Sequence, residues 1–338
     1  MRVITSMNNF QQIPWDDITE FGQKTLLNTD LFTVSWILAR FCNYNCSYCW
    51  PYARSSTPDH QDLEVYTRTI DNIKAQARDN GFTDFHFSFS GGEPTAYKYF
   101  GEVIDHYCSD TAPKYQSIHM TTNLSPGSKW WNRWLESTST LQRRSITASY
   151  HAEFASEQEF GDKCLQLMKG GTFVTINQVM VPEMFEELYG RLERFAARGI
   201  NVTLKPQSDP TASYVVHGYT EGQITRMQTG FPQRIPEEFK QLIPILGVEL
   251  IDKNGNKHLL DQAERFNAFG FNKFKGWECN AGYQGCVIRE NEVKRSYSCK
   301  DQPLGTLNEG FELFKAPSKC ITPTCVSSAD SKIPKRKV

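Results

Sequence analysis

The stretch Ala39-Arg40-Phe41-Cys42-Asn43-Tyr44-Asn45-Cys46-Ser47-Tyr48-Cys49-Trp50-Pro51 decides how this chain is read. Its cysteines are spaced Cys-x3-Cys-x2-Cys. They follow Leu31 to Leu38, an apolar run rich in β-branched and aromatic residues that reads as a buried strand. The cysteines therefore sit on the loop that leaves a strand. Thiolates are soft ligands and select zinc, copper(I) or iron–sulfur clusters. A structural metal site is normally closed by four protein ligands. Here no fourth cysteine is near and no histidine comes before His60, so one coordination position is left open. A zinc knuckle is the competing account; the spacing favours iron–sulfur.

Working outward, Asp62 to Asn80 carries apolar residues at Leu63, Val65, Tyr66, Ile70 and Ile73 and ends at Gly81, a helix with a glycine stop. Asp84 to Ser90 alternates aromatic and polar residues, a strand signal, and runs into Gly91-Gly92-Glu93-Pro94. Two glycines at a strand end let the backbone approach a ligand closely. A following carboxylate or carbonyl can receive an ammonium group. Alone, these four residues would read as a turn. Their place, one strand–helix–strand unit after the cysteine loop, makes them more specific.

Together the two motifs resemble the radical S-adenosylmethionine (radical SAM) superfamily. The resemblance implies that Cys42, Cys46 and Cys49 hold a [4Fe-4S] cluster, with Tyr48 as the aromatic residue before the third cysteine. SAM would chelate the open iron through its amino and carboxylate groups, and Gly91, Gly92, Glu93 and Pro94 would hold the amino group. An electron from the cluster would break a C–S bond of the sulfonium. The resulting 5′-deoxyadenosyl radical would take a hydrogen atom from a substrate.

Strand and helix signals then alternate. Helices are expected over Lys98 to Cys108, Trp130 to Leu135, Ser156 to Lys169 and Glu183 to Arg198. Strands are expected over Ser117 to Thr122, Ser145 to Tyr150, Phe173 to Val181 and Ile200 to Leu204. Six strands with five helical crossovers imply a parallel sheet covered by helices. The family resemblance closes it into a partial (β/α)6 barrel. Ligands gather at the carboxyl ends of such strands. Those ends carry Thr121 and Asn123, Ser149 and His151, Gln178, and Lys205 with Gln207. Asn123 reads as a turn residue or helix cap; the resemblance implies a ribose or carboxylate contact. His151 reads equally as a structural histidine or a ligand contact. Lys205 is a solvated charge or a partner for a SAM or substrate carboxylate. Trp130 and Trp134 share a helix face, which reads as packing rather than base stacking.

Cys279, Cys286, Cys299, Cys320 and Cys325 form a second group. Two strand-like runs around the polar turn Glu290 to Glu292 predict a β-hairpin that brings its flanking cysteines together. Leu304-Gly305-Thr306-Leu307 and an expected short helix, Asn308 to Lys315, precede Cys320-x4-Cys325. This resembles the twitch-type auxiliary-cluster module of SPASM/twitch radical SAM enzymes. The resemblance implies a second [4Fe-4S] cluster on Cys279, Cys299, Cys320 and Cys325. The cysteines are too few for two auxiliary clusters, and Cys286 is left as a buried free thiol. A four-cysteine zinc site is the rival.

The expected layout is an N-terminal extension packed outside (1–30), the barrel (31–207), a bridging region (208–276) with a hairpin at Asn254-Gly255, the twitch-type module (277–326) and a disordered basic tail (327–338). Phe266, Phe269, Phe271, Phe274 and Trp277 lead into the module. The chain has 338 residues and a net charge of −1, so it has no built-in pull toward nucleic acid or acidic lipid. No apolar run approaches the ~20 residues of a membrane span, and Met1 to Gln12 lack an apolar signal core. Ten cysteines without a disulfide-like layout fit a reducing cytoplasm. The function expected is a radical SAM oxidoreductase acting on a peptide or a small molecule, fed by a reducing partner such as flavodoxin or ferredoxin. A non-enzymatic iron–sulfur electron carrier is the alternative, and it needs no Gly91-Gly92-Glu93-Pro94 segment.

Overall fold

The computed structural model describes residues 14–27, 29–49, 54–209, 218–232, 234–242, 247–260, 272–299 and 303–338. The readings at Met1 to Gln12, Phe266, Phe269 and Phe271 fall outside the described residues. Strand β1 (Ile18–Gln23) precedes the barrel unit, which runs β2 (Leu31–Ile37), α1 (Leu63–Asp79), β3 (Asp84–Ser90), α2 (Phe100–Ser109), β4 (Gln116–Thr122), α3 (Ser128–Ser137), β5 (Arg143–Ser149), α4 (Glu157–Lys169), β6 (Phe173–Met180), α5 (Phe185–Ala197) and β7 (Asn201–Pro206). β2 to β7 pair in parallel in sequence order, the topology expected of a partial barrel.

Alternation along these strands separates two faces. Phe32, Val34 and Trp36 of β2, Phe85, Phe87 and Phe89 of β3, and Ile118 and Met120 of β4 are fully buried in one core with Tyr66, Ile70, Phe100 and Tyr107 of the helices. Truncating a ring such as Phe87 to Ala would cost about 3–5 kcal/mol. The opposite, inner face is polar and half-buried: Thr33 and Ser35, His86 and Ser88, His119 and Thr121, Ser145 and Thr147. On that face His86 Nδ1 lies 2.8 Å from Ser117 Oγ, and His119 Nδ1 lies 2.8 Å from Ser145 Oγ. Trp130 stacks on Phe100 and Trp134 is buried, so that pair packs, as expected.

After β7 come α6 (Glu221–Thr229), α7 (Glu237–Lys240) and the expected hairpin β8 (Val248–Asp252) and β9 (Lys257–Leu260). β10 (Glu278–Cys279) follows, then β11 (Gly285–Arg289) and β12 (Glu292–Lys294), which form the predicted hairpin. β11 also pairs in parallel with β2, so the module continues the barrel sheet from its first edge. The helix expected over Asn308 to Lys315 is absent. β13 (Pro303–Thr306) turns into β14 (Gly310–Phe311), because Gly310 at φ 103° takes a backbone conformation that a helix excludes. β15 (Ser318–Lys319), the short helix α8 (Ser328–Ser331) and β16 (Lys335–Arg336) complete the chain.

A second, antiparallel sheet has the order β15-β10-β16-β1-β8-β9. It corrects two expectations. The N-terminal segment is not only an outer extension, because β1 is an inner strand and Phe21 is fully buried against Phe274. The basic tail is not disordered. β16 pairs with both β10 and β1. The tail is ordered because Lys335 faces the protein interior while Arg336 faces out.

Candidate active site

The cysteine loop starts where β2 ends, and three segments hold it. Asp59 accepts from the backbone N–H of Arg40 (3.1 Å) and Phe41 (2.9 Å). Ser55 N–H donates to Arg40 O (2.9 Å), and Cys42 N–H to Ser55 O (3.3 Å). The Gly91-Gly92 segment lies directly against the loop: Gly92 N–H donates to Ala39 O (2.9 Å) and Glu93 N–H to Phe41 O (2.8 Å). A Cβ on Gly92 would sit 2.0 Å from Phe41 O, and one on Gly91, at φ 138°, 2.4 Å from Ala39 O. The approach these glycines permit is thus first to the cysteine loop itself.

The loop after β5 provides the third hold. Cys46 Sγ lies 3.2 Å from His151 Nδ1, and Tyr48 OH lies 2.8 Å from the same nitrogen. Glu153 accepts from Ser47 N–H (3.1 Å) and Ser47 Oγ (2.6 Å). Tyr44 stacks on Phe154. Among the described residues, both hydrogen-bond partners of the His151 ring belong to the cysteine loop, so the ring is held within the protein. Burial pushes its pKa down to about 4, so the ring is neutral at neutral pH.

Burial and the nearby Glu93 and Cys49 charges raise the Cys42 thiol, although the Tyr44 N–H lowers it. Burial, Glu153 and the other two cysteines push Cys46 up to about 12. Thiols that repel one another as thiolates stay deprotonated only with a cation among them, which is how a metal centre would be held. Among the described residues, no three His, Cys, Asp or Glu side chains are already drawn together around one ion.

Glu93 is buried, and its carboxylate is taken up within the protein. Oε1 accepts from Thr95 N–H (3.0 Å), Thr95 Oγ1 (2.6 Å) and Thr122 Oγ1 (2.7 Å); Oε2 accepts from Asn123 N–H (2.6 Å). Of the two acceptors considered for an ammonium group, the carboxylate is engaged, and the carbonyls of Glu93 and Pro94 already accept from Ala96 N–H (3.0 Å) and Tyr97 N–H (3.1 Å), so the reading falls on the carbonyls of Gly91 and Gly92. Asn123 continues the chain of contacts: Nδ2 donates to Asn43 Oδ1 (2.9 Å) and Oδ1 accepts from Ser125 N–H (2.9 Å). Pro94 is buried and opens a single helical turn. Thr121 and Ser149 stand half-buried on the inner face of β4 and β5, and Lys205 is exposed at the end of β7. Gln178 is buried and donates to Val179 O (2.6 Å). Asp59, Thr95, Thr122 and Glu153 were not singled out from sequence. Only Thr95 had a local signal, a hydroxyl two residues after a carboxylate at a turn.

Cys279 on β10, Cys299 after β12, and Cys320 with Cys325 on the stretch after β15 come from three parts of the chain, and Cys320 is near enough to Cys279 and Cys299 to feel their charges. Cys320 N–H donates to Trp277 O (2.7 Å), and Cys325 N–H to Asn272 O (2.8 Å). Thr322 ties two of them: its Oγ1 donates to Cys299 Sγ (3.7 Å), and its carbonyl accepts from Cys320 Sγ (3.6 Å). Burial and Cys279 raise the Cys320 thiol, and burial pushes Cys325 up to about 12 against the pull of Lys335. Cys286 is elsewhere, on β11 in the barrel core. The hairpin alone does not bring Cys279 and Cys299 together, because Cys279 lies on β10 in the second sheet. Four soft donors without a competing oxygen ligand suit iron–sulfur or zinc.

Residues 36–144 match the family model of the Radical SAM superfamily. That segment, from the end of β2 to the start of β5, is therefore a radical SAM domain, a class that works with SAM and a 4Fe–4S cluster. Two similar solved structures are of BtrN. One, the selenomethionine protein in an open conformation, is 16% identical, covers 68% of this chain and 89% of that one, and has a TM-score of 0.29. The other, BtrN in complex with AdoMet and 2-DOIA, is 15% identical, covers 64% and 87%, and has a TM-score of 0.33. At these values the likeness carries no argument. No curated protein matches the sequence. No helix among the described residues is long and apolar enough to cross a membrane.

Proposed function

We propose that this chain is a radical SAM oxidoreductase that oxidises a peptide or small molecule and uses a second, closed iron–sulfur centre to accept an electron. In this reading Cys42, Cys46 and Cys49 hold the SAM-binding cluster. The carbonyls of Gly91 and Gly92 face the SAM amino group, with Asn123, Tyr48, Thr121, Ser149, His151 and Lys205 around the cofactor. Cys279, Cys299, Cys320 and Cys325 hold the auxiliary cluster. When bound, SAM and its cluster supply a one-electron cleavage that yields a hydrogen-abstracting radical. What the chain supplies is placement: Glu93 fixes β4 to the glycine segment, Gly92 fixes that segment to the cysteine loop, and His151 and Glu153 fix the loop from the β5 side. A flavodoxin- or ferredoxin-type reductant in a reducing cytoplasm completes the reading.

The observation that carries the oxidative outcome is Tyr297. Its hydroxyl lies 3.3 Å from Ser35 Oγ on the inner face of β2, and Cys299 is two residues further along the chain. The closed cysteine group is thus linked through one side chain to the barrel interior, where a substrate radical would form. Iron–sulfur potentials span about −700 to +450 mV, so a second cluster can accept an electron from such a radical.

Anaerobic reconstitution should give about eight irons per chain, four for each cluster. The reduced protein should convert SAM to 5′-deoxyadenosine. The Cys42→Ala, Cys46→Ala, Cys49→Ala variant should keep about four irons and lose that conversion. Undiminished SAM cleavage in this variant would refute the assignment of the first centre, and zinc at the second would refute the electron-acceptor role.

A further inference from the structure

Lys335 is the residue in the ordered tail whose placement the barrel chemistry does not use. In the register of the second sheet it stands directly opposite Cys279 on β10 and opposite Phe21 on β1. Residues facing one another across an antiparallel pair project to the same side, with Cβ atoms about 4.5–5.5 Å apart. Ser318, Cys279, Lys335 and Phe21 therefore form one row across four strands. Lys335 is 3% exposed. Its ammonium donates to the carbonyls of Asp330 (2.8 Å), Ser331 (3.2 Å) and Ile333 (2.7 Å) and lies 4.5 Å from the centre of the Phe274 ring. Each of these partners is neutral, and among the described residues no carboxylate lies within ion-pair distance of it.

A buried ammonium without a counter-charge is costly, and buried charges are normally paired. Besides the Asp330 carboxylate, the groups near this one that can become anions include thiols, and both Cys320 and Cys325 feel the lysine's charge. Among the described residues, the other buried charges nearby make no ion pair with the ammonium. Arg295 adds a second cation, donating to Ala281 O (3.0 Å) and to Ser318 Oγ (2.5 Å) in the same row. The Asp330 carboxylate is engaged by Tyr297 N–H (3.2 Å), Ser298 N–H (2.6 Å) and Ser298 Oγ (2.6 Å). A four-iron cluster on four thiolates is anionic and becomes more so on reduction. It would complete this balance.

We propose that Lys335 is a built-in counter-cation of the auxiliary centre, holding up its reduction potential from the strand opposite Cys279. The inference rests on reading the four cysteines as an iron–sulfur site. A positive charge in a low-dielectric surround favours the state with one more electron. The C-terminal strand is then a wall of the centre, and Lys335 is a positioning and charge-balancing residue rather than a catalytic one. The rival account is purely structural: Lys335 caps the carbonyls at the end of α8.

The test uses the full chain carrying Cys42→Ala, Cys46→Ala and Cys49→Ala, so that the auxiliary centre gives the whole iron signal. Lys335→Met and Lys335→Gln are compared with Lys335→Arg and with Arg336→Met as a surface control. The Gln variant keeps donors for the carbonyls and loses only the charge, so it carries the test if the Met variant does not fold. Iron content and an EPR-monitored redox titration are read. The expected result is retained iron with a lower midpoint potential in Lys335→Met and Lys335→Gln, and an unchanged potential in Arg336→Met. Lys335→Arg should restore the potential. Retained iron with an unshifted potential in both charge-loss variants would overturn the inference while leaving the cluster reading intact. Zinc, or no metal, in the unsubstituted Lys335 background would overturn the cluster reading and the inference with it.

Discussion

Cys42, Cys46 and Cys49 lie on one short loop, with Cys46 buried, Cys42 half-buried and Cys49 exposed. Cys279, Cys320 and Cys325 are all buried and, with half-buried Cys299, come from three separate stretches of the chain. The first loop is held from outside, by Asp59, Gly92, His151 and Glu153, and in the proposed reading its centre is open. In the proposed reading the second is closed by its four thiols; Cys279 lies on a strand of two residues, and Cys320 directly follows another. An open centre can bind a small molecule on a free coordination position; a closed one can only hold structure or exchange electrons. The difference also determines how each centre should fail.

The largest effect is expected at the contact that defines the open centre. Gly92→Ala would drive a Cβ to 2.0 Å from Phe41 O, so the cysteine loop or the glycine segment must move. Iron at the first centre and SAM cleavage should both be lost, while auxiliary iron remains. Gly310→Ala is a useful contrast. It has a positive φ of 103° but meets no atom within 4 Å, so the cost is backbone strain alone, about 1–2 kcal/mol of stability, and both centres should stay filled. Wild-type SAM cleavage in Gly92→Ala would show that the two segments are not held as close as they stand.

The closed centre should separate its cysteines. Cys320→Ser should abolish product formation but keep SAM cleavage, because the open centre does not depend on it. Cys286→Ser should keep every iron, because Cys286 packs in the barrel core on β11, away from the other four. Equal iron loss in the two variants would show that Cys286 is a ligand.

The unequal legibility of the two centres has a physical cause. The first is encoded by local spacing, and the strand ends that surround it follow from a parallel sheet whose six strands were readable from alternation and glycine stops. The second depends on pairings between residues far apart in sequence. Cys279 pairs with Lys335, Phe21 with Lys335 and Leu250, and no short-range pattern announces a two-residue strand. For the same reason Lys332 to Lys337 read as a solvated basic run, and Asn308 to Lys315 read as a helix although Gly310 forces a turn. The partners of Glu93 were hidden for a different reason. Thr122, not Thr121, points to it, and one residue of phase along a strand decides the face.

Glu93→Ala should act on the open centre more mildly than Gly92→Ala. Four donors lose their acceptor, and a buried donor left unsatisfied costs about 1–3 kcal/mol. Water entering the vacated space would recover part of this. The expected result is weaker SAM binding with iron unchanged and a lower melting temperature. A dissociation constant for SAM equal to wild type, with only the melting temperature reduced, would confine Glu93 to a structural role.

The smallest effect separates the two regions by pH. The inner face of the barrel carries His86 and His119, whose pKa values burial pushes down to about 4 and about 3; at His119 the charges of His86 and Lys332 add to the depression. The hydroxyls of Ser117, Ser145 and Thr147 can serve neutral rings as donor or acceptor, so nothing there requires a charge. In the unfolded chain both histidines take up protons near pH 6.5. Above that pH neither state is protonated and the pair has no effect. As pH falls below it, the unfolded state gains protons that the folded state refuses, so stability declines until the folded pKa values near 4 and 3 are reached. Between pH 6.5 and 5, before most carboxylates titrate, the melting temperature should therefore fall more steeply in wild type than in the His86→Gln, His119→Gln variant. The second sheet is the same in both proteins, so it contributes equally to both slopes. Parallel slopes in the two proteins over this window would mean that water and protons reach the barrel interior freely.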